Sequence, residues 1–178
     1  MFNVAIIGHG SSLKTNRLGY LIDTHDAVVR IKNGIELSNE RPESFGSKTT
    51  HVCLAAQVLS SKSDYKKDSA LYPEGVERWL YDLQSDDETL AFWMKRYLTM
   101  KTGNAGFFST GTAAVMFACK HLAPLRLSLF GFDAYRHPGA VYTNSFGKVM
   151  GPGHSWALER LLIEEMAMKS GTSLIFVE

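Results

Sequence analysis

Residues 4–8 form an apolar run of strand length that ends on Gly8-His9-Gly10-Ser11-Ser12, and residues 13–22 then carry apolar side chains at helical spacing. A buried strand, a tight turn of small residues and a helix, in that order, point to the α/β class. Ala27–Ile31 is a second β-branched run, His51–Ala55 a third candidate, and residues 125–132 and 172–177 read as further buried strands. Between them, residues 80–100 contain at least one helix and residues 112–122, nearly all apolar, predict a buried one. Trp156–Lys169 is amphipathic through Leu158, Leu161, Leu162 and Met166. The alternation predicts a single domain over residues 1–178, with a mostly parallel sheet and helices on both faces.

At 178 residues the chain is long enough to bury a core without disulfides or a metal. Its formal net charge of +1 argues against electrostatic capture by nucleic acid or an acidic membrane, so function has to come from local motifs. No apolar run approaches the roughly 20 residues of a membrane-spanning helix. The first residues also lack the basic start and long apolar stretch of a signal peptide, so a cytoplasmic protein is the expectation. Cys53 and Cys119 are the only cysteines and read as reduced core thiols. Residues 41–48 and 60–67 read as surface loops.

Ligands of an open α/β sheet settle beyond the carboxyl ends of its strands, and the first such end here is the 8–12 turn. Small residues let backbone N–H groups approach an anion, Ser11 and Ser12 add hydroxyls, and the next helix brings its positive end. Leu13 stands where a dinucleotide fingerprint has its third glycine, and no Gly-Lys-Ser/Thr follows, so a single phosphate fits better than a triphosphate. The other reading of the same residues is a glycine turn that joins strand to helix and binds nothing.

Taken whole, VAIIGHGSSLKTNRLGYLIDTHDAVVRIKNG followed by FGSKTT resembles the large sialyl motif of family 29 sialyltransferases. It has the hydrophobic strand, the small-residue turn, an Asp-x-His-Asp-x-Val-x-Arg core, an Asn and a Gly-x-Lys-Thr-Thr ending. Phe108-Ser109-Thr110-Gly111, with the later Gly131-Phe132-Asp133, resembles the small motif. His154 and Glu159, spaced His-x4-Glu, resemble the very small one. The resemblance implies a Rossmann-like, GT-A-like fold and transfer of an acidic sugar, sialic acid, from its CMP-activated form to a glycan or lipo-oligosaccharide hydroxyl. Inversion, no metal and no further cofactor are implied with it. CMP-Kdo transfer and CMP binding without transfer are the rival readings. Animal members pair a cysteine of the large motif with one of the small motif, whereas the corresponding places here hold Asn3 and Leu122, which agrees with a reducing compartment. His9 stands where many members have Asn, and the Asn that follows Arg30 is displaced by one, to Asn33.

On this resemblance the donor lies between Gly8, His9, Gly10, Ser11, Ser12 and Asn33 on one side and Ser109, Thr110 and Gly111 on the other. Thr110 and Gly111 also read as ordinary helix capping. His137, Tyr142 or neither represents the family's third motif, and His137 has the better spacing to His154. His154 follows Gly151-Pro152-Gly153 at or just before a helix start, where the helix's positive end favours a neutral ring suited to a general base. Glu159 lies about 140° round a regular helix from it. That angle argues against a His-Glu dyad and leaves Glu159 to hold the preceding loop, to complement the helix's first turn or to face solvent. Asp86 and Asp87, after Ser85 as N-cap, predict a helix start rather than a metal site. His25, His51 and His121 read as structural.

Overall fold

The computed structural model describes residues 1–55, 74–101, 106–136, 142–143, 149–150 and 154–177. The chain runs through β1 (Asn3–Ile7), α1 (Ser12–Thr15), α2 (Gly19–Asp23), β2 (Ala27–Ile31), α3 (Gly34–Glu40), α4 (Pro42–Phe45), β3 (His51–Ala55) and β4 (Glu77–Tyr81). It continues with α5 (Glu88–Met100), α6 (Thr110–Phe117) extended by a π-helical turn over Ala118–Leu122, β5 (Arg126–Phe130) and α7 (Asp133–Arg136). A two-residue ribbon, β6 (Tyr142–Thr143) with β7 (Val149–Met150), precedes α8 (Trp156–Lys169) and β8 (Ser173–Val177).

Six strands make one all-parallel sheet in the order β4-β3-β2-β1-β5-β8, and β6 pairs with β7 antiparallel. Alternation along each strand divides the core in two. Val4 and Ile6 of β1, with Val29 and Leu129, pack with Leu90, Trp93, Val115 and Leu162 of α5, α6 and α8. Ala5 and Ile7, with Val28 and Phe130, pack with Leu13, Ile22, Leu37 and Phe45 of α1 to α4. Burial on both faces is the reason these strands read as continuous apolar runs. Among the described residues no helix is long and apolar enough to cross a membrane.

Several elements depart from expectation. The single helix over residues 13–22 is two short ones: Asn16 takes extended backbone, and Gly19 sits so close to α4 that a Cβ there would meet the Pro42 carbonyl oxygen at 1.9 Å. Residues 41–48 are not merely a surface loop, since Phe45 is fully buried and the stretch is bound to β2. Arg30, also fully buried, donates to the carbonyls of Phe45 (2.9 Å), Gly46 (3.0 Å) and Lys48 (2.8 Å) and to Thr49 Oγ1 (2.7 Å). Asp23 accepts from the amides of Ser47 (2.9 Å) and Lys48 (2.9 Å) and from the Ser47 hydroxyl (2.8 Å). These bonds depress the Asp23 carboxyl against the opposing effect of partial burial. Residues 60–67 lie outside the described residues.

Asp87, not Ser85, caps α5, accepting from the amides of Thr89 (2.9 Å) and Leu90 (3.1 Å), and it also pairs with Lys120 at 2.8 Å. On α8, Leu161 is 57% exposed while Trp156, Leu162, Ile163 and Met166 are buried, so the apolar stripe lies to one side of it. The structural histidines have ordinary partners. His25 contacts the Leu21 carbonyl (3.0 Å) and Ser128 Oγ (3.0 Å), His51 lies 3.4 Å from Glu77, and His121 stacks on Phe117.

Candidate active site

From β1 the sheet extends through β2, β3 and β4 to one side and through β5 and β8 to the other. The carboxyl ends of β1 and β5 therefore flank the topological switch point at which such sheets take ligands. A cavity of about 310 Å³ opens there, lined by the exits of β1, β2 and β5, by residues 107–111 ahead of and within α6, and by His154 and Trp156.

The 8–12 turn is closely packed against the exit of β5. A Cβ on Gly8 would lie 2.6 Å from the Gly131 carbonyl oxygen, and one on Gly10 would lie 2.4 Å from Asp133 Oδ1. The Gly8 amide donates to Phe130 O (2.7 Å) and the Gly10 amide to Gly131 O (2.8 Å). Ser12 donates its amide (3.0 Å) and its hydroxyl (2.5 Å) to the Asp133 carboxylate. Much of the turn's donor capacity is thus engaged within the protein, and a carboxylate stands at the start of α1. Of these residues Gly8 and His9 line the cavity, while Gly10, Ser11 and Ser12 do not. Asn33 also lies outside the lining and donates to Glu36 (3.2 Å); its neighbour Lys32 lines the cavity instead. The His9 ring donates Nε2–H to the Ile31 carbonyl (2.8 Å). Burial, opposed by that bond and reinforced by the Lys32 charge, brings its pKa down to about 4.

Ser109, Thr110 and Gly111 line the cavity as well. The Ser109 hydroxyl caps α6 by accepting from the Thr112 amide at 3.3 Å, and the first-turn amides at Thr110 and Gly111 lack acceptors within their own helix. Beneath them lies Glu159, 0% exposed. Its Oε2 accepts from the Ser109 amide (2.9 Å), the Thr112 hydroxyl (2.5 Å) and the Tyr135 hydroxyl (3.1 Å). Burial and the Glu159 charge push the Tyr135 phenol far above its ordinary value, so it stays a neutral donor.

Oε1 of Glu159 lies at ion-pair distance, 3.3 Å, from Nδ1 of His154, and neither atom makes a hydrogen bond among the described residues. The helical-wheel argument against this pair fails because His154 precedes α8, which begins at Trp156 after non-helical backbone at Ser155. The 100° step per residue does not apply across that entry. Nor is Glu159 a solvated helix carboxylate. The His154 side chain is 26% exposed and its ring lies between those of Trp156 and Phe107, with centroids at 5.0 and 6.4 Å.

His137 lies outside the described residues. Tyr142 pairs through its backbone with Met150, and its side chain is likewise outside them. Asp86 and Asp87 do not line the cavity. Among the described residues no group of three or more His, Cys, Asp or Glu side chains is placed to hold a metal. Sequence reasoning missed Lys32, Thr112 and Tyr135. Only Tyr135 left a trace in the chain, two residues beyond the Gly-Phe-Asp that ends the small motif.

Sheet and cavity together define a Rossmann-like α/β protein with a cavity at its switch point. Residues 3–123 match the family model of glycosyltransferase family 29 (sialyltransferase), and the chain belongs to that family. It is 39% identical over 72 residues to the beta-galactoside alpha-2,6-sialyltransferase 1 of Homo sapiens, a match covering 40% of this chain and 17% of that protein. It is 30% identical over 103 residues to the type 2 lactosamine alpha-2,3-sialyltransferase of Homo sapiens, covering 53% of this chain and 30% of that protein. The matches thus span less than a third of either relative. The fold is similar to that in the crystal structure of a mammalian sialyltransferase in complex with Gal-beta-1-3GalNAc-ortho-nitrophenol. The TM-score is 0.57 at 19% identity, over 98% of this chain and 69% of the other.

Proposed function

We propose that this chain transfers sialic acid from CMP-sialic acid to an acceptor glycan hydroxyl, with inversion, without a metal, and with His154 as general base. The observation that carries the mechanism is the pairing of His154 with a buried carboxylate at the rim of the cavity, 3.3 Å apart. Glu159 is held by three donors and cannot turn away. It therefore favours the tautomer with the proton on Nδ1, which leaves the lone pair of Nε2 for the acceptor. As the acceptor oxygen attacks the anomeric carbon and the bond to the CMP oxygen breaks, Nε2 takes the hydroxyl proton and Glu159 stabilises the imidazolium. Thr110 and Gly111 at the N-terminus of α6 line the cavity, which supports stabilisation there of the charge that the leaving phosphate gains.

The names of the similar proteins, for beta-galactosides and type 2 lactosamine, support a galactose-terminated acceptor. The compartment belongs to the proposal as well. Cys53 is a buried thiol pushed up by burial, Asn3 and Leu122 replace the animal disulfide, and we place the protein in the cytoplasm. The test is CMP release from CMP-sialic acid with and without N-acetyllactosamine, with the product's anomeric configuration read by NMR. Acceptor-dependent release of an inverted product supports the proposal. Tight CMP binding with no turnover favours the non-transferring rival, and turnover with CMP-Kdo alone favours the other.

A further inference from the structure

Lys32 ends β2 with a φ of 50°, in the left-handed region that residues other than glycine rarely enter. Its amide is pinned to the Cys53 carbonyl at 2.9 Å, so β3 holds the turn in place. Lys32 is half-buried and is one of the residues that line the cavity. Among the described residues no carboxylate pairs with its ammonium group. Cys53 supplies no counter-charge, because burial keeps its thiol protonated. Asp133, the carboxylate among the cavity's lining residues, accepts from the amide and hydroxyl of Ser12, and the buried Glu159 accepts from Ser109, Thr112 and Tyr135. Burial accordingly depresses the lysine below its ordinary value.

A strained turn that delivers an uncompensated cation to a cavity is costly unless an anion from outside meets it. We propose that Lys32 anchors an oxyanion of the donor. The inference rests on the reading of the cavity as a CMP-sugar site and deepens it. Two oxyanions of such a donor have the required chemistry, the nucleotide phosphate and the sugar carboxylate. The lysine reaches the cavity from the end of β2, and Thr110 and Gly111 at the N-terminus of α6 line the same cavity. Positive potential thus converges from two elements without a metal.

Calorimetry on the full chain decides this, using cytidine, CMP and CMP-sialic acid against wild type, Lys32→Met and Lys32→Arg. Lys32→Met keeps most of the apolar stem and removes the charge. It is expected to bind cytidine as wild type does and CMP about 10- to 100-fold more weakly, the usual worth of a charge-assisted bond. Lys32→Arg restores CMP binding. The ligand-free Lys32→Met chain melts at or above the wild-type temperature, since an unpaired charge has been removed. A loss seen with CMP assigns the oxyanion to the phosphate, and a loss seen with CMP-sialic acid alone assigns it to the sugar carboxylate. Unchanged affinity for both, or equal weakening for cytidine with a lower melting temperature, marks a structural lysine and overturns the inference. A folded wild type that binds no cytidine ligand overturns the reading of the cavity and the inference with it.

Discussion

At the residue scale the proposed chemistry turns on how one carboxylate is divided. Oε2 of Glu159 gathers the start of α6 and Tyr135, while Oε1 is left for His154. A base that merely packed would lose stability and binding together when truncated. His154→Ala should instead lower turnover by about 10²–10⁴-fold while the CMP affinity of the folded protein stays nearly unchanged, even as the melting temperature falls because Oε1 of Glu159 loses its neighbour; steady-state kinetics beside calorimetry will show this. His9 makes a second residue-scale prediction, in pH. Its folded value is about 4 against an ordinary 6.5, so below pH 6.5 the unfolded chain takes up a proton that the folded chain refuses. Stability falls as pH drops from about 6.5 and levels off near 4, a loss of about 3 kcal/mol assignable to this ring. His9→Gln should flatten that part of the urea-melt stability profile between pH 7 and 4. A profile identical to wild type removes His9 as the cause.

Elements here owe their positions to a few polar bonds laid over an apolar frame. Asp87 joins α5 to the π-helical turn through Lys120 and satisfies two first-turn amides. Asp87→Ala should destabilise the protein by about 1 kcal/mol, the usual worth of an N-cap, with donor binding untouched. Arg30→Lys is more severe, because lysine cannot present a fork to the carbonyls of Phe45, Gly46 and Lys48 at once. A loss of roughly 3 kcal/mol or more in a urea melt is expected, as when a buried charge network is broken. These bonds also mark where the sequence was legible. Strands β1, β2, β3 and β5 could be read because burial on both faces writes itself as apolar runs. β4 could not be read, because Glu77, Arg78 and Leu80 are exposed on an edge strand and leave a broken pattern. The break between α1 and α2 depends on contact with α4, which no local spacing records. Within the site, His154 and Ser109 were found through motifs. Lys32 was overlooked because its position at the cavity comes from a left-handed turn, while helical spacing argues against the His154–Glu159 pair and fails, because the wheel does not extend across a helix entry.

Across the whole molecule the cavity joins pieces that are distant in the chain: the ends of β1 and β2, the start of α6, the exit of β5 and the start of α8. A ligand there bridges both halves of the sheet. Turnover should therefore survive excess EDTA, because the positive charge expected at the phosphate comes from protein groups and Asp87 is occupied as a cap. Loss of activity in chelator, restored by magnesium or manganese, would count against that electrostatic account. The sharper test is ligand-dependent melting. A ligand that binds only the folded state stabilises it by RT ln(1 + [L]/Kd), about 2.7 kcal/mol at 100 times Kd. For a chain of 178 residues that amounts to a rise of roughly 5–10 °C in melting temperature. CMP and CDP should produce it, and UDP, GDP and NAD should not. The contrast matters because any nucleotide brings phosphate, and a site that merely collected anions at a helix N-terminus would respond to all five. Equal shifts from all of them would reduce the cavity to an anion trap. A shift from UDP or NAD without one from CMP would refute the donor assignment while leaving the fold and the family in place.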